Sequence, residues 1–198
     1  MERGYMWARK FALNPSLISF LSLPKSQITM QSRQSIRYFA YGSNMPLARL
    51  QQRVPSARLV GVYCIQGYDL RFHMASNDGS AKCNAFESGN SEDCVWGVVF
   101  DMLISQRPAL DKAESLDVGY SAKLVDVSNN QGEKLEALIY CAIPIDDTFK
   151  PYSWYLNHVL MGAIENKLPN NYIDKIKKVE SIEDINKERA LHEYAIHQ

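Results

Sequence analysis

The sequence predicts an α+β protein with a curled sheet, and three observations carry that prediction. Short runs rich in Val, Ile, Tyr and Phe recur from residue 36 onward, most of them stopped by Gly, Asn, Asp or Ser. These runs far outnumber any clean strand–helix–strand rhythm, which excludes a doubly wound fold. Helical periodicity gathers mostly after residue 153, in charged amphipathic segments.

Taken in order, Ile36-Arg-Tyr-Phe-Ala-Tyr41 reads as a buried strand ending at Gly42. Ser43 or Asn44 then suits the cap of a helix with Pro46 in its first turn and Leu47, Leu50 and Val54 as its apolar stripe. Ala57–Gln66 and Tyr68–His73 read as strands around Gly67. Ala75–Ala81 is a polar loop, and Lys82–Glu87 a short strand. Cys94-Val-Trp-Gly-Val-Val-Phe100 is the strongest strand signal. Ile104–Glu114 has helical spacing. Tyr120–Val127 and Leu135–Ile143 form a hairpin around Asn129-Asn130-Gln131-Gly132. Ser153–Asn166, Tyr172–Val179 and Ile182–Ala195 are helical. No internal repeat is visible.

The 198 residues are 46% apolar and 22% charged, enough to bury one core and too ordinary for a disordered chain. Zero net charge argues against a dedicated nucleic-acid binder or a polybasic membrane binder. The average hides an asymmetry. Residues 1–68 carry nine basic residues and one acid, a balance of +8, and residues 69–198 carry thirteen and twenty-one, a balance of −8. No run approaches the roughly 18 apolar residues of a membrane span. Cys64, Cys83, Cys94 and Cys141 match no metal-finger spacing and read as reduced thiols in a cytoplasm. The four histidines are scattered, so neither a metal site nor a Ser-His pair is expected, and no phosphate-binding glycine motif occurs.

Residues 1–35 form a basic, Ser/Gln-rich extension with Pro15 and Pro24. It reads as a poorly structured or mis-called start, with Met30 as the initiator, or as an organelle-targeting leader. The catalytic unit is expected over residues 36–180, with an amphipathic helix at 181–198. Its acids (Glu180, Glu183, Asp184, Glu188 and Glu193) suit a solvated charge-paired face, a contact with the basic N-terminal half, or a homodimer contact.

Three places could hold chemistry. The strand–turn–helix Tyr38-Phe39-Ala40-Tyr41-Gly42-Ser43-Asn44 offers backbone amides to an anion. Glu114 ends an apolar helix just before Gly119-Tyr120, and Tyr120, Tyr140, Tyr152 and Tyr155 supply hydroxyls. Alone, the first is an ordinary cap, the second a solvated surface acid, and the third part of the core and rim.

Together they mean more. Tyr38-Phe-Ala-Tyr-Gly-Ser-Asn-Met45, Val95-Trp-Gly-Val-Val99, Leu110-Asp-Lys-Ala-Glu114, Gly119-Tyr120 and Met161-Gly-Ala-Ile-Glu-Asn-Lys-Leu-Pro169 resemble the γ-glutamylcyclotransferase family over roughly residues 36–180. The Tyr-Gly-Ser-Asn turn and the Met-Gly-Ala-x-Glu-Asn segment resemble the class acting on γ-glutamyl amino acids more than the glutathione or γ-glutamylamine branches. The resemblance implies a small mixed β-barrel flanked by helices. It also implies a pocket closed by the turn, Glu114 as catalytic acid/base, Tyr120 and Tyr155 on the wall, a small-molecule substrate and no cofactor. Relatives often carry glycine after that glutamate, where this chain has Ser115, and the connection to Gly119-Tyr120 is one residue shorter than in some.

The implied reaction closes a γ-glutamyl group on itself. Its α-amine attacks the γ-amide carbonyl, forming 5-oxoproline and releasing an amino acid or amine. One carboxyl group serves both proton transfers. An ordinary glutamate, near 4.3, lies roughly 3.5 units below an α-amine, a mismatch of about 5 kcal/mol. Burial raises a carboxyl pKa, so Glu114 is expected to be shielded from water.

Overall fold

The computed structural model describes residues 34–197. The expectations for the leader therefore lie almost wholly outside the described residues, although Ser35 already belongs to the first strand.

Seven strands are present: β1 (Ser35–Ala40), β2 (Arg58–Gln66), β3 (Tyr68–Ala75), β4 (Ala81–Glu87), β5 (Cys94–Leu103), β6 (Tyr120–Ser128) and β7 (Lys134–Ala142). Five close into a barrel in the order β1-β5-β2-β6-β7. Four of its contacts are antiparallel, and the seam between β1 and β7 is parallel, with Tyr38 opposite Leu138. Closure removes exposed sheet edges. β3 and β4 form a separate hairpin that lies along β5 and β7.

The barrel fills with the residues that made the strands legible. Phe39, Val95, Val98, Val99, Phe100, Met102, Leu138 and Ile139 are almost wholly buried. Gly97 is compulsory here for lack of space. A Cβ at that position would lie 2.5 Å from the carbonyl of Ala40 and 2.8 Å from the Phe39 ring. The hairpin of β6 and β7 turns at residues 129–132, with Gly132 at φ +80° as its sequence requires.

Among the described residues five helices flank the barrel: α1 (Leu47–Gln51), α2 (Arg107–Ala113), α3 (Ser153–Glu165), α4 (Asn170–Lys177) and α5 (Lys187–Ala195). Three expected helices are shorter than their patterns, and α1 stops at Gln51 with Val54 beyond its end. Leu103 remains in β5, a 3₁₀ turn fills Ile104–Gln106, and α2 begins only at Arg107, with Pro108 in its first turn. The terminal helix starts at Lys187, capped by the Asn186 side chain, because residues 181–186 are held as loop. There Asp184 is buried and bonded to Trp154 and Arg189, and Ile182 bridges to Tyr152. No helix of the described residues is long and apolar enough to cross a membrane.

Candidate functional site

Glu114 is placed by the way α2 ends. The N–H of Leu116 donates to the carbonyl of Asp111 at 2.9 Å, and that of Ser115 to Lys112 at 3.1 Å. This pair of bonds needs a left-handed residue just beyond the helix cap, a position that favours glycine. Ser115 holds it with φ +50°. The reversal leaves the Glu114 side chain facing the turn that follows β1.

That turn is closed by the N–H of Met45 donating to the carbonyl of Gly42 at 3.1 Å. The expected cap by Ser43 or Asn44 does not form. Pro46 occupies the cap position without a side-chain bond, and α1 starts three residues after Asn44. Asn44 is spent on Glu114 instead. Its Nδ2 donates to Glu114 Oε1 at 2.7 Å and to the Tyr38 hydroxyl at 3.2 Å, while its Oδ1 accepts from Arg53. The arginine thereby fixes which end of the amide meets the carboxyl. Gly42 is needed for space, since its φ is not left-handed. A Cβ would come within 3.2 Å of Cys83 Cβ and 3.4 Å of the Tyr155 hydroxyl.

Tyrosine hydroxyls tie the walls together. Tyr155 accepts from the Cys83 N–H at 3.0 Å, and Tyr120 donates to the Cys83 carbonyl at 2.8 Å. Tyr41 donates to the carbonyl of Tyr140, whose own hydroxyl donates to Asp111. From the other side α3 holds the turn in place. A Cβ on Gly162 would lie 2.5 Å from Met45 Cβ, and Asn166 Nδ2 donates to the Met45 carbonyl at 3.2 Å.

Tyr38, Tyr41, Gly42, Ser43, Asn44, Glu114, Tyr120 and Tyr155 thus line one recess of about 30 Å³. Phe39 and Ala40 do not. Both are fully buried elsewhere in the core, on the two opposite faces of β1. Cys83 and Tyr140 complete the wall. Tyr140 is one of the four tyrosines the sequence offers as hydroxyl donors, whereas Cys83 is visible there only as a thiol. Ser43, Glu114, Tyr120 and Tyr155 also border an outer cavity of about 180 Å³, which adds Arg49, Arg53, Lys82, Met74 and Trp154. Roomier hollows, of about 370 and 440 Å³, run along the edge of β1, but the only ionisable groups lining them are Arg37, Arg58, Asp101 and Glu136.

The electrostatics of the recess raise its one carboxyl. Burial pushes the Glu114 carboxyl up to about 7, against the pull of Arg53, the Asn44 hydrogen bond and Arg49. Burial, then the neighbouring Glu114 charge, raises the Tyr38 hydroxyl well above its usual value. Among the described residues no group of three or more His, Cys, Asp or Glu is placed to hold a metal ion.

The model of the AIG2-like family matches residues 94–176. The γ-glutamylcyclotransferase of Homo sapiens is 32% identical over 159 residues, 77% of this chain and 83% of that protein. The Bos taurus γ-glutamylcyclotransferase is 33% identical over 156 residues, 76% of this chain and 81% of that one. A solved γ-glutamyl cyclotransferase superposes with a TM-score of 0.74 at 30% identity, covering 83% of this chain and 99% of its own. The shared barrel and the extent of these likenesses lead to one conclusion: the chain belongs to the γ-glutamylcyclotransferase family.

Proposed function

We propose that this protein converts a γ-glutamyl amino acid into 5-oxoproline and the free amino acid, with Glu114 carrying both proton transfers. The observation that supports this most is the buried carboxyl titrating near 7 beside an anion-ready turn. The backbone N–H groups of Ser43 and Asn44 make no hydrogen bond among the described residues and are the natural partners of the α-carboxylate. They act as turn amides, since α1 begins only at Leu47.

The energetics follow from the raised pKa. An α-amine near 7.7–8.0 now faces a carboxyl only about 1 unit lower, so proton uptake costs about 1 kcal/mol where an ordinary glutamate costs about 5. Once the amine has attacked, the same group, now an acid, donates to the departing nitrogen. The nucleophile and the carbonyl belong to one molecule, so holding the folded-back conformer supplies much of the remaining acceleration. On this reading the glutamyl head lies against the recess and the leaving residue lies in the adjoining outer cavity of about 180 Å³. On this reading the enzyme serves γ-glutamyl peptide and glutathione-linked metabolism in the cytoplasm, where its free cysteines stay reduced.

Incubating the protein with γ-glutamyl-alanine, glutathione and γ-glutamyl-lysine and measuring 5-oxoproline by mass spectrometry tests the reading. Release is expected from γ-glutamyl-alanine first. Tight binding of all three with no 5-oxoproline would show a binding protein and sink the proposal.

A further inference from the structure

Three cations, Arg49, Arg53 and Lys82, line the outer cavity, and the one carboxyl lining it is Glu114, which burial holds up at about 7 against the pull of Arg53 and Arg49. Lys82 is matched by Asp78 at 2.8 Å, and Arg49 by Glu193 at 2.8 Å. Arg53 makes no ion pair among the described residues, and its one bond here goes to the neutral amide of Asn44. Arg49 is only 7% exposed, and its Nε is buried with no hydrogen-bond partner. A buried donor left unpaired costs about 1–3 kcal/mol, so such a group points to a missing acceptor. Arg49 and Arg53 also repel one another, and burial adds to the strain by holding Arg49 below its usual pKa. An incoming anion relieves both penalties.

The position of this charge relative to Glu114 narrows the choice of anion. The cavity meets the recess at Ser43, Glu114, Tyr120 and Tyr155, so whatever leaves Glu114 as the departing amine enters it. An amino acid released there carries a carboxylate one carbon from the nitrogen that Glu114 protonates. Met74 and Trp154 give its side chain an apolar wall on the same cavity.

We propose that Arg53, with the unpaired Nε of Arg49, binds the α-carboxylate of the leaving amino acid and so selects γ-glutamyl amino acids over γ-glutamyl amines and amides. The inference rests on the cyclotransferase reading and deepens it. Arg53 is then a specificity residue, distinct from the acid/base. Its planar fork suits a carboxylate better than a lysine ammonium would.

The test compares γ-glutamyl-alanine with γ-glutamyl-alaninamide, which differ only in that carboxylate. Both are measured for 5-oxoproline release with wild type, Arg53→Gln and Arg53→Lys, and for binding by calorimetry in Glu114→Gln with and without Arg53→Gln. Wild type is expected to favour the acid by about 10- to 100-fold in kcat/KM, the factor one charge-assisted hydrogen bond supplies. Arg53→Gln should bring that ratio close to one, and Arg53→Lys should restore part of it. Loosening Asn44 would slow both substrates alike and leave the ratio intact, so a merely structural arginine is told apart. An unchanged ratio in Arg53→Gln, or a wild type indifferent to the carboxylate, overturns the inference. If neither compound is cyclised yet the acid binds more tightly through Arg53, the cyclotransferase reading falls and the anion site stands. If neither is cyclised and neither binds preferentially, both fall.

Discussion

At the scale of single residues, the proposed chemistry turns on what surrounds one carboxyl group. Sequence pattern alone places Glu114 on the surface, because the acid follows an apolar stripe and precedes a turn. Only the resemblance singles it out, and the fold explains why. The chain reversal at Ser115 turns it toward Asn44 and a ring of tyrosines. Asn44 was legible as a polar turn residue, but its partner lies 70 positions away and is reached only through barrel closure. Arg49 and Arg53 gave no signal beyond being basic. Replacing Glu114 by Gln keeps the shape and the hydrogen bond to Asn44 but removes proton transfer. It should lower kcat by about 10²–10⁴-fold with ligand binding retained. The same variant tests the cost of burial. A carboxyl raised in the folded state binds more protons than in the unfolded one between about 4.5 and 7, so wild-type stability falls as pH rises through that window. Glu114→Gln should therefore gain about 1–3 kcal/mol over wild type at pH 8 and little at pH 4, as read by urea unfolding.

At the scale of elements, the strands were legible and the helix ends were not. Alternation and β-branched content locate all seven strands to within a few residues, since a closed barrel asks of each strand what sequence pattern reports. The start of α2 and the start of α5 depend on contacts made by Leu103, Asp184 and Ile182 with distant residues, so no local pattern reveals them. Ser115 sits where a side chain is strained, and Ser115→Gly should stabilise the protein by about 1 kcal/mol with kcat nearly unchanged. A loss of stability in thermal melts would show that the serine makes a compensating contact. Gly162 is the opposite case. Its Cβ would collide with Met45 and Pro46, so Gly162→Ala should cost about 1–3 kcal/mol and slow turnover by displacing the Gly42–Asn44 turn. Through Gly162 and Asn166 the Met161–Pro169 segment supports the turn, although only the turn lines the recess.

At the scale of the whole molecule, the acidic C-terminal segment divides: Glu180, Glu183 and Glu188 stay exposed, the first two paired with Lys150 and Lys187, while Asp184 and Glu193 are held against the body. Glu193 accepts from Arg49 and from His158, each at 2.8 Å, and His158 in turn meets His197. Burial keeps His158 below its usual value, so a neutral ring donates to the carboxylate. Asp184 holds Arg189 and Trp154 in the same way. Among the described residues, Arg49 on α1 is the one basic residue of the first 68 that pairs with an acid of the C-terminal segment, Glu193 on α5. The hydrogen bond from His158 holds Glu193 down at about 2, so its contribution is complete above about 4.5 and is lost as pH falls toward 2. Glu193→Gln should lower stability by about 2–4 kcal/mol at pH 7 and flatten the loss of stability below pH 4.5. Equal acid sensitivity in variant and wild type would count against the pairing.

All three scales meet in the protonation of Glu114, which is open to direct observation. Carbon-detected NMR titration of the side-chain carboxyl, assigned by its absence in Glu114→Gln, reads that equilibrium without substrate. We expect a midpoint near 7, matched by the acidic limb of kcat/KM for γ-glutamyl-alanine. A midpoint near the ordinary 4.5, with no limb near 7, would contradict the account.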